Sequence, residues 1–316
     1  MSSRLPREGS RINREKTVDF RFNGKNLKGF DGDTVASALL ANNELLVARS
    51  FKYHRPRGIF TAGEEEPNAL MGIGEGALFE PNIRATEAKL KQNMNVNSQN
   101  HWPSLKFDFL SINNLLARFF AAGFYYKTFM WPRAAWKYIF EPMIRRASGL
   151  GKAPKEYDEE HYEHIHHHTD ILIIGGGLAG ITAVKALRDR GLSVMLCEKD
   201  SVMGGRYLQD CKSEEREQYK KLHKSSVEIL KKSKDIAVKL NTCVTGIFDH
   251  GFVLAYEEKQ HRNTTTKKAL WKIRAKKIIL CTGAIERPIV FPDNDLPGIM
   301  LAASVFDYLQ KYGVLL

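Results

Sequence analysis

TDILIIGGGLAGITAVKALRDRGLSVMLCEKD, residues 169–200, decides the reading of this chain. ILII (171–174) is a short, unbroken apolar run, the pattern of a parallel strand buried on both faces. Gly175-Gly176-Gly177-Leu178-Ala179-Gly180 follows at once and holds G-x-G-x-x-G as Gly175, Gly177 and Gly180. A helix is expected from there to about Arg190. Its apolar Ile181, Val184 and Leu187 fall at helical spacing, and Gly191 stops it. SVMLC (193–197) is the next strand and ends at Glu198.

Each part of that order has a physical task. Gly175 permits the tight turn, Gly177 lets backbone approach a pyrophosphate, and Gly180 lets the helix pack closely on the strand. Backbone N–H groups at the helix N-terminus then face the negative charge, with the helix dipole behind them. Glu198 lies 18 residues beyond Gly180. A carboxylate there accepts hydrogen bonds from adenosine ribose hydroxyls and repels a 2′-phosphate, which favours NAD or FAD over NADP. A lone glycine pattern is weak evidence. Strand, glycines, helix, strand and acid in that order point to a Rossmann-type dinucleotide site.

Further signals lie downstream. Gly204-Gly205-Arg206 offers close backbone approach and one cation. KKIILCTGAIERP (276–288) ends its strand at Thr282-Gly283. That resembles the later strand-plus-glycine element of the two-dinucleotide-binding flavoproteins, which closes over the cofactor. CVTGIFD (243–249) is the intervening strand, with the Val244 backbone framing the adenine. The lysine-rich segment 212–240 mixes its cations with Glu214, Glu215, Glu217 and Glu228, so it reads as a solvated helix face rather than a nucleic-acid site.

Upstream, residues 1–16 read as a disordered basic tail. TVDFRF (17–22) alternates as a strand. Asn23-Gly24 signals a tight turn, and Asn26–Phe30 is a second strand. Asp33 is placed to cap a helix over 34–42. SFKYHRPRGIFTAGEEEPNAL (50–70) then carries Pro56, Gly58, Gly63 and Pro67, so it is irregular. Two strands, a helix and a long loop open a β-grasp, ferredoxin-like domain over 17–95. Residues 96–168 are expected to be an aromatic-rich helical connector ending in a polar linker, 151–168. That linker holds His161, His164, His166, His167 and His168. Metal binding is the sharp reading, but no fixed ligand spacing supports it, and a solvated linker is preferred. Residues 169–316 are assigned to the first part of the dinucleotide-binding domain.

Composition narrows the class. Apolar residues make up 43% and charged residues 27%, the balance of a folded globular protein. The net charge of +12 would suit a dinucleotide, a folate tail, an acidic protein or nucleic acid. A solvated basic surface is preferred, because the charge is spread along most of the chain. The four cysteines, Cys197, Cys211, Cys243 and Cys281, show no C-x-x-C spacing. Three of them sit in strand-like apolar runs and are read as small buried hydrophobes, which fits a reducing, cytoplasmic setting. The N-terminus lacks the apolar region of a signal peptide. LLARFFAAGFYYKTFMW (115–131) is too short and too charged for a membrane span.

Three segments, 50–70, AGFYYKTFMWPRAAWKYIFEPMIRRASGLGKAP (122–154) and DILIIGGGLAG (170–180), together resemble the N-terminal part of the alpha subunit of heterotetrameric sarcosine oxidase. The middle one is the most specific, since no general fold rule dictates its aromatic wording. The resemblance implies an oxidoreductase acting on CH–NH donors. It demethylates sarcosine to glycine and hydrogen peroxide and forms 5,10-methylenetetrahydrofolate from tetrahydrofolate. It implies NAD bound to alpha without serving as the working redox centre. FMN and FAD are held by the beta subunit or shared with it, and gamma and delta complete the assembly. Matching the family's NAD pattern puts contacts at Ala179, Glu198, Lys199, Asp200, Gly205, Arg206 and Val244, with Thr282 and Gly283 at the closing element. No catalytic residue, nucleic acid or membrane partner is assigned to this chain.

Two departures matter. Relatives among amino-acid and opine dehydrogenase subunits carry cluster-ligating cysteines in the β-grasp domain, and residues 1–95 contain none. This domain is therefore expected to be cluster-free scaffold. Residues 296–316 read as the run-up to another strand, so the chain is expected to be a portion of the family's subunit, inactive alone. The competing readings are a subunit of a related flavin-dependent secondary-amine or opine dehydrogenase and a non-catalytic NAD-binding scaffold.

Overall fold

A computed structural model describes residues 3–6, 9–115, 117, 123, 129, 131–205, 230, 233, 235–259 and 266–316. They form two units, Met1–Asp158 with Glu286–Leu316, and Glu159–Ile285.

In the first unit, β1 (Asn13–Phe22) and β2 (Lys25–Asp31) make a hairpin. Its turn, Asn23-Gly24, has φ of 48° and 80°, the left-handed pair that matches strand twist. Val18, Phe20 and Phe22 alternate inward from β1. β5 (Leu70–Ile73), β6 (Glu80–Arg84) and β7 (Met94–Ser98) complete a mixed sheet of order β2-β1-β7-β5-β6, with β1 and β7 parallel. β3 (Ala48–Arg49) and β4 (Pro56–Arg57) pair within the long loop.

Helix α1 (Val35–Ala41) belongs to the core of this unit and is buried along its whole length. Its N-cap is Thr34, in a reciprocal capping box with Ser37, and not Asp33. Asp33 is instead a buried anchor. It accepts from the Ser37 hydroxyl (2.6 Å), the Phe30 N–H (2.8 Å) and the Arg4 guanidinium (2.8 Å). Residue 4 therefore belongs to the folded unit, which corrects the reading of 1–16 as a disordered tail. Strand β1 itself starts at Asn13.

Among the described residues of the connector, a helical run leads through a π turn, Trp136–Phe140, into α2 (Glu141–Ala147). Most of the apolar stretch 115–131 lies outside the described residues. Among the described residues, no helix is long and apolar enough to cross a membrane.

In the second unit, β8 (His161–Ile174), β9 (Val194–Cys197), β10 (Ile236–Lys239), β11 (Thr242–Phe248), β12 (Phe252–Glu258) and β13 (Thr266–Leu280) form one sheet. Its order is β10-β9-β8-β13-β12-β11, parallel from β10 to β13 and antiparallel beyond. Helix α3 (Leu178–Leu187) ends three residues before the expected Arg190. Through Ile181 and Val184 it packs on Ile173, Val194 and Leu196. Leu172, Ile174 and Met195 lie on the other face, in a buried cluster with Val253, Ala255, Trp271 and Ile273 of β12 and β13. Both faces of β8 are thus covered, which is why ILII shows no alternation. Residues 236–239, read as part of a helical segment, are strand β10. Most of 212–240 lies outside the described residues.

Two boundaries differ from the sequence reading. His161–His168 are not linker but the first half of β8, paired with Thr266–Arg274 with one register shift between Thr266 and Lys268. The fifteen-residue strand β13 offers them a long partner edge. Successive side chains of a strand point to opposite sides. His164, His166 and His168 are exposed on one side, while His167 on the other meets Trp271 edge to face at 6.0 Å. Burial, with Lys239 and His168 nearby, lowers the His167 pKa. Among the described residues, no three His, Cys, Asp or Glu side chains converge as a metal site.

The second difference is at the C-terminus. Residues 286–316 group with the first unit rather than with 169–285. Helix α4 (Ala302–Tyr312) puts Tyr308 and Tyr312 into the β-grasp core, beside Val314. The Tyr308 hydroxyl donates to the Thr61 carbonyl at 2.9 Å, and its burial drives the phenol pKa well above the usual range. Tyr308→Ala is expected to destabilise the first unit by about 3–5 kcal/mol, the cost of emptying a large aromatic site. Tyr308→Phe removes only the hydroxyl and should cost about 1 kcal/mol. Urea unfolding followed by tryptophan fluorescence and circular dichroism measures both. Equal midpoints for Tyr308→Ala and the parent would place α4 outside this core.

Candidate dinucleotide site

The glycine turn is built by close backbone approach. Gly175 has φ of 102°, and a Cβ there would lie 2.3 Å from the Cys281 carbonyl oxygen. A Cβ on Gly180 would lie 1.9 Å from the Gly175 carbonyl oxygen, so α3 starts where only hydrogen fits. Gly177 is different. It is the N-cap of α3, and a Cβ there meets nothing within 4 Å. Its side of the turn is open, and Leu178 and Ala179 in the first helical turn are exposed. That face presents the first N–H groups of α3, which lack partners within the helix. The positive end of the helix dipole lies there as well.

Glu198 sits directly below. It is 7% exposed. One carboxylate oxygen accepts the Gly176 N–H at 2.6 Å and the other the Asp200 N–H at 2.8 Å. Burial raises its pKa, while those two N–H bonds and the Lys199 charge oppose the rise. A carboxylate has about four acceptor positions. The two N–H groups orient the side chain and leave capacity on each oxygen for a hydroxyl.

The other predicted residues fall around this centre unevenly. Gly204 donates its N–H to the Gly176 carbonyl at 2.8 Å, and Gly205 follows it with φ of 57° beside Gly177. Thr242 at the start of β11 donates its N–H to the Glu198 carbonyl at 2.9 Å, and Asn241 donates to that of Asp200 at 3.1 Å. Those bonds bring the strand of Val244 back beside the acid, although β11 is the far edge of the sheet. Lys199 is exposed and Asp200 half-buried. Thr282 and Gly283 are exposed just beyond Cys281, whose N–H donates to Ile174 at 2.8 Å. Arg206 lies outside the described residues.

Gly176 and Thr242 were not singled out by the sequence. Gly176 is the middle glycine of the run 175–177, and Glu198 leaves only 3.0 Å for a Cβ there. Thr242 carried no local signal. The open Gly177 face, the helix N-terminus and the oriented carboxylate fit a dinucleotide.

In the first unit, the fold suggests a different cofactor, a 2Fe–2S cluster, and the donor set does not fit it. Such clusters need four thiolates, or two thiolates and two imidazoles. Every cysteine lies at position 197 or later. In the long loop a buried carboxylate gathers the backbone donors instead. Glu66 accepts from the N–H groups of Phe60 (2.9 Å), Thr61 (2.7 Å), Asn68 (2.9 Å) and Ala69 (3.1 Å).

Comparison with known proteins finds two family models along the chain. Residues 15–101 match the family model described as a 2Fe-2S iron-sulfur cluster binding domain. Residues 169–314 match that of the pyridine nucleotide-disulphide oxidoreductases, a span that includes residues packed in the first unit. The chain is thus a ferredoxin-like domain followed by an FAD/NAD-binding domain. Across 99% of its length it is 44% identical to the sarcosine oxidase subunit alpha of Rhizobium meliloti (strain 1021), covering 32% of that protein. It is 32% identical over 97% of its length to the subunit of the same name from Corynebacterium sp. (strain U-96), covering 28% of it. The chain therefore spans about a third of the length of these relatives. In fold it is similar to L-proline dehydrogenase from P. horikoshii, with a TM-score of 0.59 and 24% identity over 98% of this chain and 50% of that one.

Two outcomes check the site. Gly180→Ala should disrupt the turn and lower the melting temperature of the second unit, because backbone must move. Gly177→Ala should leave the fold intact and weaken dinucleotide binding, since its methyl projects into the open face. Thermal melts and calorimetry separate the two; similar melts for both would contradict the tight approach at residue 180. For the first unit, the purified chain is expected to contain no stoichiometric iron or acid-labile sulfide by elemental analysis.

Proposed function

We propose that the second unit binds NAD and that the chain acts in a sarcosine-oxidising flavoenzyme. The pyrophosphate lies over Gly175, Gly177, Ala179 and Gly180. Glu198 takes the adenosine ribose hydroxyls, with Lys199 and Asp200 beside it. Arg206 next to Gly205 supplies a cation, Val244 borders the adenine, and Thr282 and Gly283 close the site. The observation that carries this reading is the Glu198 carboxylate, fixed by the Gly176 N–H at 2.6 Å beneath an open helix N-terminus. Its negative charge disfavours a 2′-phosphate, hence NAD rather than NADP.

The sequence similarity to alpha subunits supports the wider role. In it the chain joins beta, gamma and delta subunits in a cytoplasmic heterotetramer. That complex converts sarcosine to glycine and hydrogen peroxide and passes the one-carbon unit to tetrahydrofolate. FMN and FAD, held by beta or shared with it, accept the electrons of the amine C–H bond. This chain's own residues bind and orient the nucleotide and keep its pyrophosphate at the helix N-terminus.

Glu198→Ala is expected to weaken NAD binding by about 1.5–3 kcal/mol, the worth of a charged hydrogen bond. Calorimetry measures it, and unchanged affinity removes Glu198 from the site. The wider role is tested by assembling the chain with the remaining alpha sequence and the other subunits. Peroxide formation from sarcosine, with and without tetrahydrofolate, is then followed. Turnover of a different secondary amine but not sarcosine would favour the dehydrogenase reading. Absence of any turnover, with NAD still bound, would favour the scaffold.

A further inference from the structure

A second polar site lies farther back along the same strands. Ser193 precedes the amino end of β9, beside Thr169 and Asp170 in the second half of β8. The glycine turn is at the carboxyl end of β8, five residues along from Asp170 and so roughly 17 Å away. Nucleotides bind open α/β sheets at the carboxyl ends. An open cleft of about 810 Å³, lined by His168, Asp170, Ser193, His250, Arg274 and Lys276 among others, is therefore separate from the dinucleotide site.

The cleft is assembled by backbone constraints. Gly251 has φ of 67°, and a Cβ there would lie 2.1 Å from the Ala275 carbonyl oxygen. The turn at Asp249–Gly251 thus presses on β13 and holds His250, itself at φ 58°, beside Arg274. The Arg274 guanidinium donates to the His250 carbonyl at 3.2 Å and stacks over Phe252 at 4.8 Å. Its orientation is set, yet its other N–H groups have no partner among the described residues.

The charges do not balance. Asp170 is fully engaged: one oxygen accepts the Ser193 N–H and hydroxyl, each at 2.9 Å, and the other meets Lys276 at 2.7 Å. One rung further, His168 lies directly across from Arg274, and the next rung sets His166 across from Lys272. Asp249 precedes His250 on the same turn. An anion would meet the remaining donors of the oriented Arg274 guanidinium here.

We propose that this cleft binds a phosphate or pyrophosphate group of a small molecule. Arg274 supplies the oriented fork that matches phosphate oxygens. Lys276, His168 and His250 surround it, and the Ser193 side stays tied to Asp170.

The test is calorimetric titration of the full chain with inorganic pyrophosphate, in about 0.1 M salt so that diffuse attraction is screened. Binding is expected to persist in saturating NAD, which marks the site as distinct from the glycine turn. Arg274→Gln and His168→Ala should each weaken it about tenfold. Arg274→Lys should fall between Gln and the parent, since it keeps the charge and loses the fork. Circular dichroism confirms that each variant is folded. The proposal is overturned if NAD displaces the pyrophosphate while Arg274→Gln does not weaken it, because the ion then sits on the glycine turn. It is also overturned if sulfate at equal charge binds as well as pyrophosphate and all variants bind alike.

Discussion

The long parallel ladder between β8 and β13 is the constraint on which the second unit depends. It runs from His161 paired with Thr266 to Ile174 paired with Leu280. At one end both strands deliver backbone to the same place, so the Cys281 carbonyl packs where Gly175 has no Cβ. Midway along, the same register sets His168 opposite Arg274. A shift of one residue would turn each side chain to the opposite face. It would break the glycine contact and the cation pairing together. The covalent order of the chain thus couples a phosphate-compatible turn to a basic cleft through one hydrogen-bonded ladder.

The first unit shows a related economy of backbone donors. A loop in a ferredoxin-like fold has many N–H groups that strand pairing cannot satisfy, and burial without partners is costly. Here Glu66 supplies an internal anion to four of them. The unit also closes on itself through distant chain. Tyr308, Tyr312 and Val314 complete its hydrophobic cluster. Arg55 and Arg57 of the loop hold Asp293 and Asp295. Ser3 pairs its backbone with Ala41 and Leu315.

Electrostatics gains meaning only when the charge is located. A net charge of +12 says little by itself, and much of it is solvated. In the second unit two places concentrate it differently. At the glycine turn the favourable potential comes from peptide dipoles and needs no side-chain cation. At the cleft beside Asp170 it comes from side chains, with the Asp170 carboxyl held down to about 2 chiefly by Lys276 and Ser193. A carboxylate so committed leaves the neighbouring Arg274 guanidinium without a carboxylate partner among the described residues.

Local patterns determined the local parts. The run from Ile171 to Glu198 was legible because each feature depends on residues near in sequence: an apolar run, glycines that admit close approach, a helical stripe, and an acid at a strand end. The Asn23-Gly24 turn was legible for the same reason. What the sequence could not decide depends on partners far along the chain. The histidines at 161–168 look like a polar linker until β13 offers its edge, since polar residues join a strand when a long neighbour pairs with them. Helix α4 looks like a continuation of the dinucleotide domain until Tyr308 is seen filling the β-grasp core. Thr242 reaches Glu198 only because the antiparallel strands fold β11 back across the sheet. Hydrophobic periodicity records which face of an element is buried, but not against what. That choice belongs to tertiary packing, where free energy depends on volume and pairing between segments distant along the chain.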